Sequence, residues 1–162
     1  MCAVSKADMA LSFVIASDHA GFDLKTSLLQ DAHFAKTTNI NFIDCGCFAK
    51  DSCDYPDIVL GAIDKYKELK KTSDASVMIL LICGSGIGVS IAANRHTFIR
   101  AALCSNATLA ELARAHNDAN CLCLGARFTK IDEAKKIIAS FCNVNFEGQR
   151  HQKRVDKLSL PV

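Results

Sequence analysis

Five runs rich in consecutive apolar residues punctuate the chain, at 11–17, 40–45, 75–83, 99–103 and 120–124. Runs of this kind predict strands buried on both faces of a parallel sheet. Between them the period changes. Ile58, Ala62, Ile63, Tyr66 and Leu69 recur at helical spacing while Lys65, Lys67 and Lys70 fall elsewhere on the wheel, and Pro56 with Asp57 suits the first turn of a helix. Ile131, Ala134, Ile137, Ile138 and Phe141 repeat the pattern. Strand and helix alternating through short links imply right-handed crossovers. The expected fold is an α/β domain, a three-layer, doubly wound, Rossmann-like sheet of about five parallel strands with flanking helices. No repeat, low-complexity segment or linker divides it, so residues 1–162 read as a single domain, with 147–162 a basic, helical C-terminal arm.

Composition narrows the classes. Half of the 162 residues are apolar and 22% are charged, the balance of a folded chain rather than a disordered one. Nineteen Lys and Arg face seventeen Asp and Glu, and a formal charge of +2 is too small for a general grip on nucleic acid. The longest apolar stretch, 76–93, has the length of a membrane span, but Gly84, Gly86 and Gly88 with Ser85 interrupt its middle. A buried strand, a glycine turn and a helix fit it better. The N-terminal apolar run ends in Asp18 and His19 without a cleavage pattern and reads as the first strand. Nine cysteines, an odd count with no export signal, argue against a disulfide framework and for the reducing cytoplasm, where a cysteine is by default a small buried hydrophobe.

In open α/β sheets ligands bind beyond the carboxyl ends of the strands. The first strand delivers Asp18-His19-Ala20-Gly21 there, the second Cys45-Gly46 and then Asp54-Tyr55-Pro56, the third Cys83-Gly84-Ser85-Gly86-Ile87-Gly88, and the fifth Gly125-Ala126-Arg127. The glycine segment joins a buried strand to a helix start, so its backbone N–H groups can point at an anion with the helix dipole behind them; the plainer reading is a tight turn that binds nothing. A dinucleotide fingerprint would need a glycine at Val89 and an acidic residue about 20 positions on, and a Walker A motif would need its lysine and hydroxyl. All are missing, which excludes the usual NAD and ATP sites. Cys83, at the mouth of the glycine loop, is placed where a thiol can become a base or nucleophile. Cys104, Cys121, Cys123 and Cys142 lie in strand and helix stripes and read as packing. Cys45, Cys47 and Cys53 lack CxxC spacing and a fourth ligand, so no metal is expected.

His116 extends the apolar stripe of Leu109, Leu112 and Ala113, which suits a core histidine, yet Asn117 and Asp118 follow it and mark a helix end near the surface, where an imidazole can transfer protons. His19 follows a buried strand directly, unlike His33 and His96 in their polar surroundings. The arm from Glu147 to Lys157 carries a net +2, equal to the excess of the whole chain. It suits either a solvated helix or an anion-binding arm.

Taken in order, Ser17-Asp18-His19-Ala20-Gly21, Asp54-Tyr55-Pro56-Asp57, Cys83-Gly84-Ser85-Gly86-Ile87-Gly88 with Ser90-Ile91-Ala92-Ala93-Asn94, Ala115-His116-Asn117-Asp118-Ala119-Asn120, Leu124-Gly125-Ala126-Arg127 and Gly148-Gln149-Arg150-His151-Gln152-Lys153-Arg154 resemble the type B ribose-5-phosphate isomerases. That family also includes galactose-6-phosphate and allose-6-phosphate isomerases. The resemblance spans nearly the whole chain and implies a cofactor-free, metal-independent aldose–ketose isomerisation of ribose 5-phosphate and ribulose 5-phosphate through a cis-enediolate, a step of the pentose phosphate pathway. It implies Cys83 as the base that moves a proton between C2 and C1, the N–H groups of Gly84, Gly86, Ile87 and Gly88 as an anion hole, and Ser85 as a hydroxyl-proton shuttle. His116 would open the furanose ring, Asp18 and Asn117 would hold sugar hydroxyls, and Tyr55 would line the pocket. His19, Arg127, Arg150 and Arg154 would hold the phosphate, with Arg150 and Arg154 at i, i+4 spacing on one helical face. His151 suits packing instead. One branch of the family uses a glutamate six positions after the cysteine; here that position is Val89, which leaves Cys83 as the base. Ser85 stands where many members carry threonine. The family shares its sites across a homodimer, and tetramers also occur. A sugar-phosphate binding module without turnover is the competing reading on the same fold; it needs neither Cys83 nor His116. A thiol redox or metal module, suggested by the cysteine count, ranks behind both.

Overall fold

The structure, a computed structural model, describes residues 11–72 and 76–158. Among these residues, strands β1 (Leu11–Ser17), β2 (Ile40–Asp44), β3 (Val77–Cys83), β4 (Ala101–Leu103) and β5 (Cys121–Gly125) are interleaved with helices α1 (Phe22–Gln30), α2 (Ala32–Thr38), α3 (Tyr55–Thr72), α4 (Ile87–Ala93), α5 (Ala107–Asn117), α6 (Ile131–Asn143) and α7 (Gln152–Leu158). All strand pairs are parallel, in the order β2-β1-β3-β5-β4. This is the doubly wound α/β architecture that the alternation of strand and helix predicts.

The strands are apolar along their length because both faces are covered. Phe13, Ile15, Leu80, Ile82, Leu122 and Leu124 face one layer with Leu24 and Leu28 of α1, Ala110 of α5 and Ile137, Ile138 and Phe141 of α6. Their neighbours Val14, Ala16, Ile79, Leu81, Cys121 and Cys123 face the other layer, with Val59, Ala62 and Ile63 of α3 and Val89 and Ala93 of α4. Each fully buried Leu, Ile or Phe contributes roughly 1.5–3 kcal/mol. Capping sets the helix starts: Asp31 accepts the Phe34 N–H at 2.8 Å at the head of α2, and Asn106 accepts the Leu109 N–H at 2.9 Å at the head of α5.

Several element bounds differ from the expectation, and the fifth strand runs Cys121–Gly125 rather than 120–124. The fourth strand begins at Ala101 rather than 99; the Arg100 carbonyl still accepts the Cys121 N–H, but the Arg100 N–H goes to the Asn120 side chain at 2.8 Å instead of a strand carbonyl. The second strand ends at Asp44, one residue early, and the third is described from Val77, with residue 75 outside the described residues. The arm is helical only from Gln152, because Gly148 and Gln149 take positive φ and the His151 N–H closes a turn on the Gly148 carbonyl. Arg150 therefore sits in that turn, and it does not share one helical face with Arg154.

Candidate active site

The chain crosses from one side of the sheet to the other between β1 and β3, and the carboxyl ends of these neighbouring strands bound the crevice in which doubly wound sheets hold ligands. Asp18 and Cys83 stand there side by side. The Asp18 N–H donates to the Ile82 carbonyl at 3.1 Å, and its carboxylate caps the turn His19–Gly21 by accepting the Gly21 N–H at 3.0 Å. Both residues are buried, Asp18 at 7% and Cys83 at 4% exposure. His19 is exposed beside them, its Nδ1 accepting the Cys53 N–H at 3.3 Å.

Residues 84–86 turn the chain sharply from β3 into α4. Gly86 takes φ +78, and a Cβ there would lie 2.4 Å from Leu103. The Gly86 N–H donates to Cys83 Sγ at 3.0 Å, an interaction that strengthens when the sulfur carries negative charge. The Ser85 hydroxyl accepts the Ile87 N–H at 3.3 Å. The other glycines of the segment admit neighbours instead: the Arg127 guanidinium lies 3.1 Å from where a Gly84 Cβ would stand, and the Tyr55 ring 2.8 Å from a Gly88 Cβ. The Ala126 and Arg127 N–H groups donate back to the Cys83 and Gly84 carbonyls, at 2.8 and 3.1 Å, and lock β5 to the loop. A cleft of about 240 Å³ lined by Ser85, Ile87, Leu103, Gly125 and Phe128 opens alongside. Cys83, Ser85, Gly84, Gly86, Ile87, Gly88, Asp18, His19, Tyr55 and Arg127 thus share the carboxyl edge of the sheet: two buried groups able to move protons, a row of backbone donors, and two side chains suited to an anion.

His116, Asn117, Arg150 and Arg154 do not join them. Helix α5 runs back from the carboxyl edge and ends at Asn117, just before β5 begins at Cys121. His116 is therefore at the amino edge of the sheet. Its ring stacks on that of His151, centroids 4.3 Å apart and 7° from parallel, and Glu147 Oε2 lies 3.9 Å from Nε2 of His116 and 3.6 Å from Nε2 of His151. The Glu147 N–H donates to the Ala115 carbonyl at 3.0 Å, tying the arm to α5, and Arg150 Nε donates to His151 Nε2 at 3.2 Å. Asn117 lines a cleft of about 490 Å³ with Asn94, His96, Arg100 and Leu158. His116, Glu147 and His151 bring one metal-ligating atom each within 4.8 Å of one another, although Arg150 already occupies the His151 nitrogen.

His151 packs as expected, buried against His116. Glu147 escaped the sequence reading, which counted it only as charge in the arm. Cys104, Cys121 and Cys123 are buried in the core, and Cys142 packs against it. Burial raises the Cys104 and Cys142 thiols to about 12, contact with Cys121 and burial hold Cys123 well above the usual thiol range, and burial also raises Cys45 and Cys53. The cysteines among the described residues are all free thiols.

A family model described as Ribose/Galactose Isomerase matches residues 13–158. The chain is 43% identical over 151 residues to the probable ribose-5-phosphate isomerase B of Mycoplasma genitalium, covering 93% of this chain and 95% of that one. It is 36% identical over 145 residues to the ribose-5-phosphate isomerase B of Escherichia coli, covering 88% of this chain and 90% of the other. Among solved structures, the Mycoplasma genitalium ribose-5-phosphate isomerase B with bound ribulose 5-phosphate superposes with a TM-score of 0.80 at 42% identity, covering 93% of this chain and 95% of its own.

Proposed function

Because the chain belongs to the ribose/galactose isomerase family and is an aldose–ketose isomerase, we propose that it interconverts ribose 5-phosphate and ribulose 5-phosphate through a cis-enediolate. The bound ribulose 5-phosphate of the Mycoplasma genitalium relative supports a pentose phosphate as the substrate. The observation that carries the mechanism is Cys83, buried at the end of β3 with its sulfur facing the Gly86 N–H. As thiolate it takes the C2 proton of the open-chain aldose and returns it to C1, while the N–H groups around Gly84, Gly86, Ile87 and Gly88 steady the oxygen on which charge develops. Ser85 passes a hydroxyl proton between O1 and O2. Asp18 holds sugar hydroxyls, Tyr55 closes the pocket, and His19 and Arg127 hold the phosphate.

His116 opens the furanose ring, and it does so from a second copy. Along β5 the two edges of the sheet are four residue steps apart, about 13 Å at ~3.3 Å per residue, so His116 is out of reach of Cys83 in one chain. A homodimer in which His116, Asn117, Arg150 and Arg154 of the partner subunit face Cys83 completes the site. Exposed apolar side chains on α4, Ile87 and Ile91, and Leu103 on the edge strand β4 support such a contact. No described helix is long and apolar enough to cross a membrane, and the free thiols suit a reducing compartment, the cytoplasm.

The test is ketose formation from ribose 5-phosphate by wild type and Cys83→Ala with EDTA present, with allose 6-phosphate and galactose 6-phosphate run alongside. The proposal expects metal-independent turnover of the pentose phosphate that Cys83→Ala loses while still binding it. Turnover of a hexose phosphate alone would reassign the substrate, and full turnover by Cys83→Ala would remove the cysteine from the mechanism.

A further inference from the structure

A carboxylate accepts a hydrogen bond only from a nitrogen that carries a proton. Glu147 Oε2 faces two such candidates, Nε2 of His151 at 3.6 Å and Nε2 of His116 at 3.9 Å, and its backbone is held by the hydrogen bond to Ala115. The His151 nitrogen is already taken. Arg150 Nε is always a donor, and it reaches His151 Nε2 at 3.2 Å, so that nitrogen accepts and bears no hydrogen. His151 is also held below the usual imidazole range, first by its burial and then by His116 and Arg150, with Arg154 acting in the same sense and Glu147 alone opposing. Two imidazoles stacked at 4.3 Å disfavour a charge on both. Of the two imidazoles, His151 has its Nε2 taken by a donor, which leaves Nε2 of His116 to face the carboxylate with a hydrogen.

We propose that Glu147 is a positioning residue for His116: its carboxylate accepts the His116 Nε2 proton, fixes the ring's tautomer, and stabilises the imidazolium that forms while the sugar ring opens. This rests on the reading that His116 opens the ring. The step balances without a co-reactant. Nδ1 of His116 takes the proton of the C1 hydroxyl, C1=O1 forms as the C1–O4 bond breaks, and the same nitrogen returns the proton to O4. Nδ1 has its lone pair available for this only if the proton stays on Nε2, and a carboxylate beside Nε2 keeps it there. Arg150, by holding His151 neutral, stops the second imidazole from competing for the carboxylate. The bond forms when the exposed Glu147 side chain closes the 3.9 Å that separates Oε2 from His116 Nε2.

The test compares wild type, Glu147→Gln and His116→Asn on ribose 5-phosphate across pH, with the imidazole titrations followed by NMR. Gln keeps the shape of the side chain and removes its charge. The expected result for Glu147→Gln is a fall in kcat of roughly tenfold or more with KM within about twofold of wild type. Activity needs His116 neutral at the start, and loss of the carboxylate disfavours its charged form, so the acid limb of kcat and the His116 titration should both move to lower pH. Wild-type kcat with an unmoved limb overturns the proposal. A fall in kcat with an unmoved limb also overturns it, because that is what a merely structural role produces. Full turnover by His116→Asn would remove His116 from ring opening and Glu147 with it, which separates failure of the underlying reading from failure of this one.

Discussion

If one site draws Cys83 from one subunit and His116 from the other, two dead enzymes should make a live one. Strand β5 spans about 13 Å, and the 11 residues of α5 return the chain by about 16 Å. Both paths put His116 at the far edge from Cys83. In Cys83→Ala and His116→Asn homodimers every site lacks one group, and activity should fall by a factor on the order of 10² or more, the scale of a lost proton-transfer residue. A mixed dimer is different. One of its sites receives both substitutions and the other receives neither, so it should regain about half of the wild-type activity per dimer, and a random mixture about one quarter. The assay is ketose formation by doubly tagged dimers, isolated after co-expression of the two chains under different affinity tags. Mixed dimers as inactive as their parents would refute the shared site. So would a single substitution of either kind that left the homodimer fully active.

The remaining expectations bear on the scaffold. A Cβ on Gly125 would stand 2.5 Å from the Ser85 carbonyl oxygen, a contact with backbone that only a shift of the glycine loop can relieve. Gly125→Ala should cost about 1–3 kcal/mol of stability and roughly 10²-fold in kcat/KM, read from urea melts and initial rates, and activity within twofold of wild type would contradict the loop's role. The Lys25 ammonium is buried and meets both carboxylate oxygens of Asp44, at 2.6 and 2.7 Å, while Asp44 also accepts the Gly46 N–H. Lys25→Met should destabilise by about 2–4 kcal/mol, because it strands a part-buried carboxylate; an unchanged urea midpoint would count against that account. The Lys135 ammonium, helped by the Phe34 N–H, holds the Asp31 carboxyl below its ordinary 3.8. A depressed carboxyl contributes stability above its unfolded value and loses it as pH falls through the folded one. Asp31→Asn should therefore melt earlier than wild type at pH 7, and the gap should close in melts at about pH 2.5; a gap of equal size at both would refute the pairing.

The layer order of the fold was legible because strands covered on both faces have no reason to alternate, and the runs around Val14 and Leu81 do not. The glycine turn was legible for a similar reason: Gly86 meets a local demand that few residue types satisfy. The start of β4 was not, because the side chain of Asn120, twenty residues away, takes the Arg100 N–H in place of a strand carbonyl. The pairing of Glu147 with two histidines was equally hidden, since Gly148 and Gln149 turn the chain there and a helical wheel drawn through Arg150 and Arg154 misplaces it.

The separation of the site into two halves is a different case, because the information needed was present in one dimension. A helix that follows one parallel strand and leads to another must run back across the sheet, so its last residues lie at the edge opposite the ligand crevice. His116 sits one residue from the end of such a helix, whereas Cys83 ends a strand. A motif at a strand's carboxyl end and a motif at a helix's carboxyl end cannot belong to the same site of one such chain unless a loop carries one of them around the sheet. Here Asp118, Ala119 and Asn120 bind Arg100, Arg114 and Ala113 at the amino edge, so no loop does. If both motifs serve one reaction, chain direction alone requires a second subunit, and the basic arm tied to Ala115 is carried to the same interface by the same constraint.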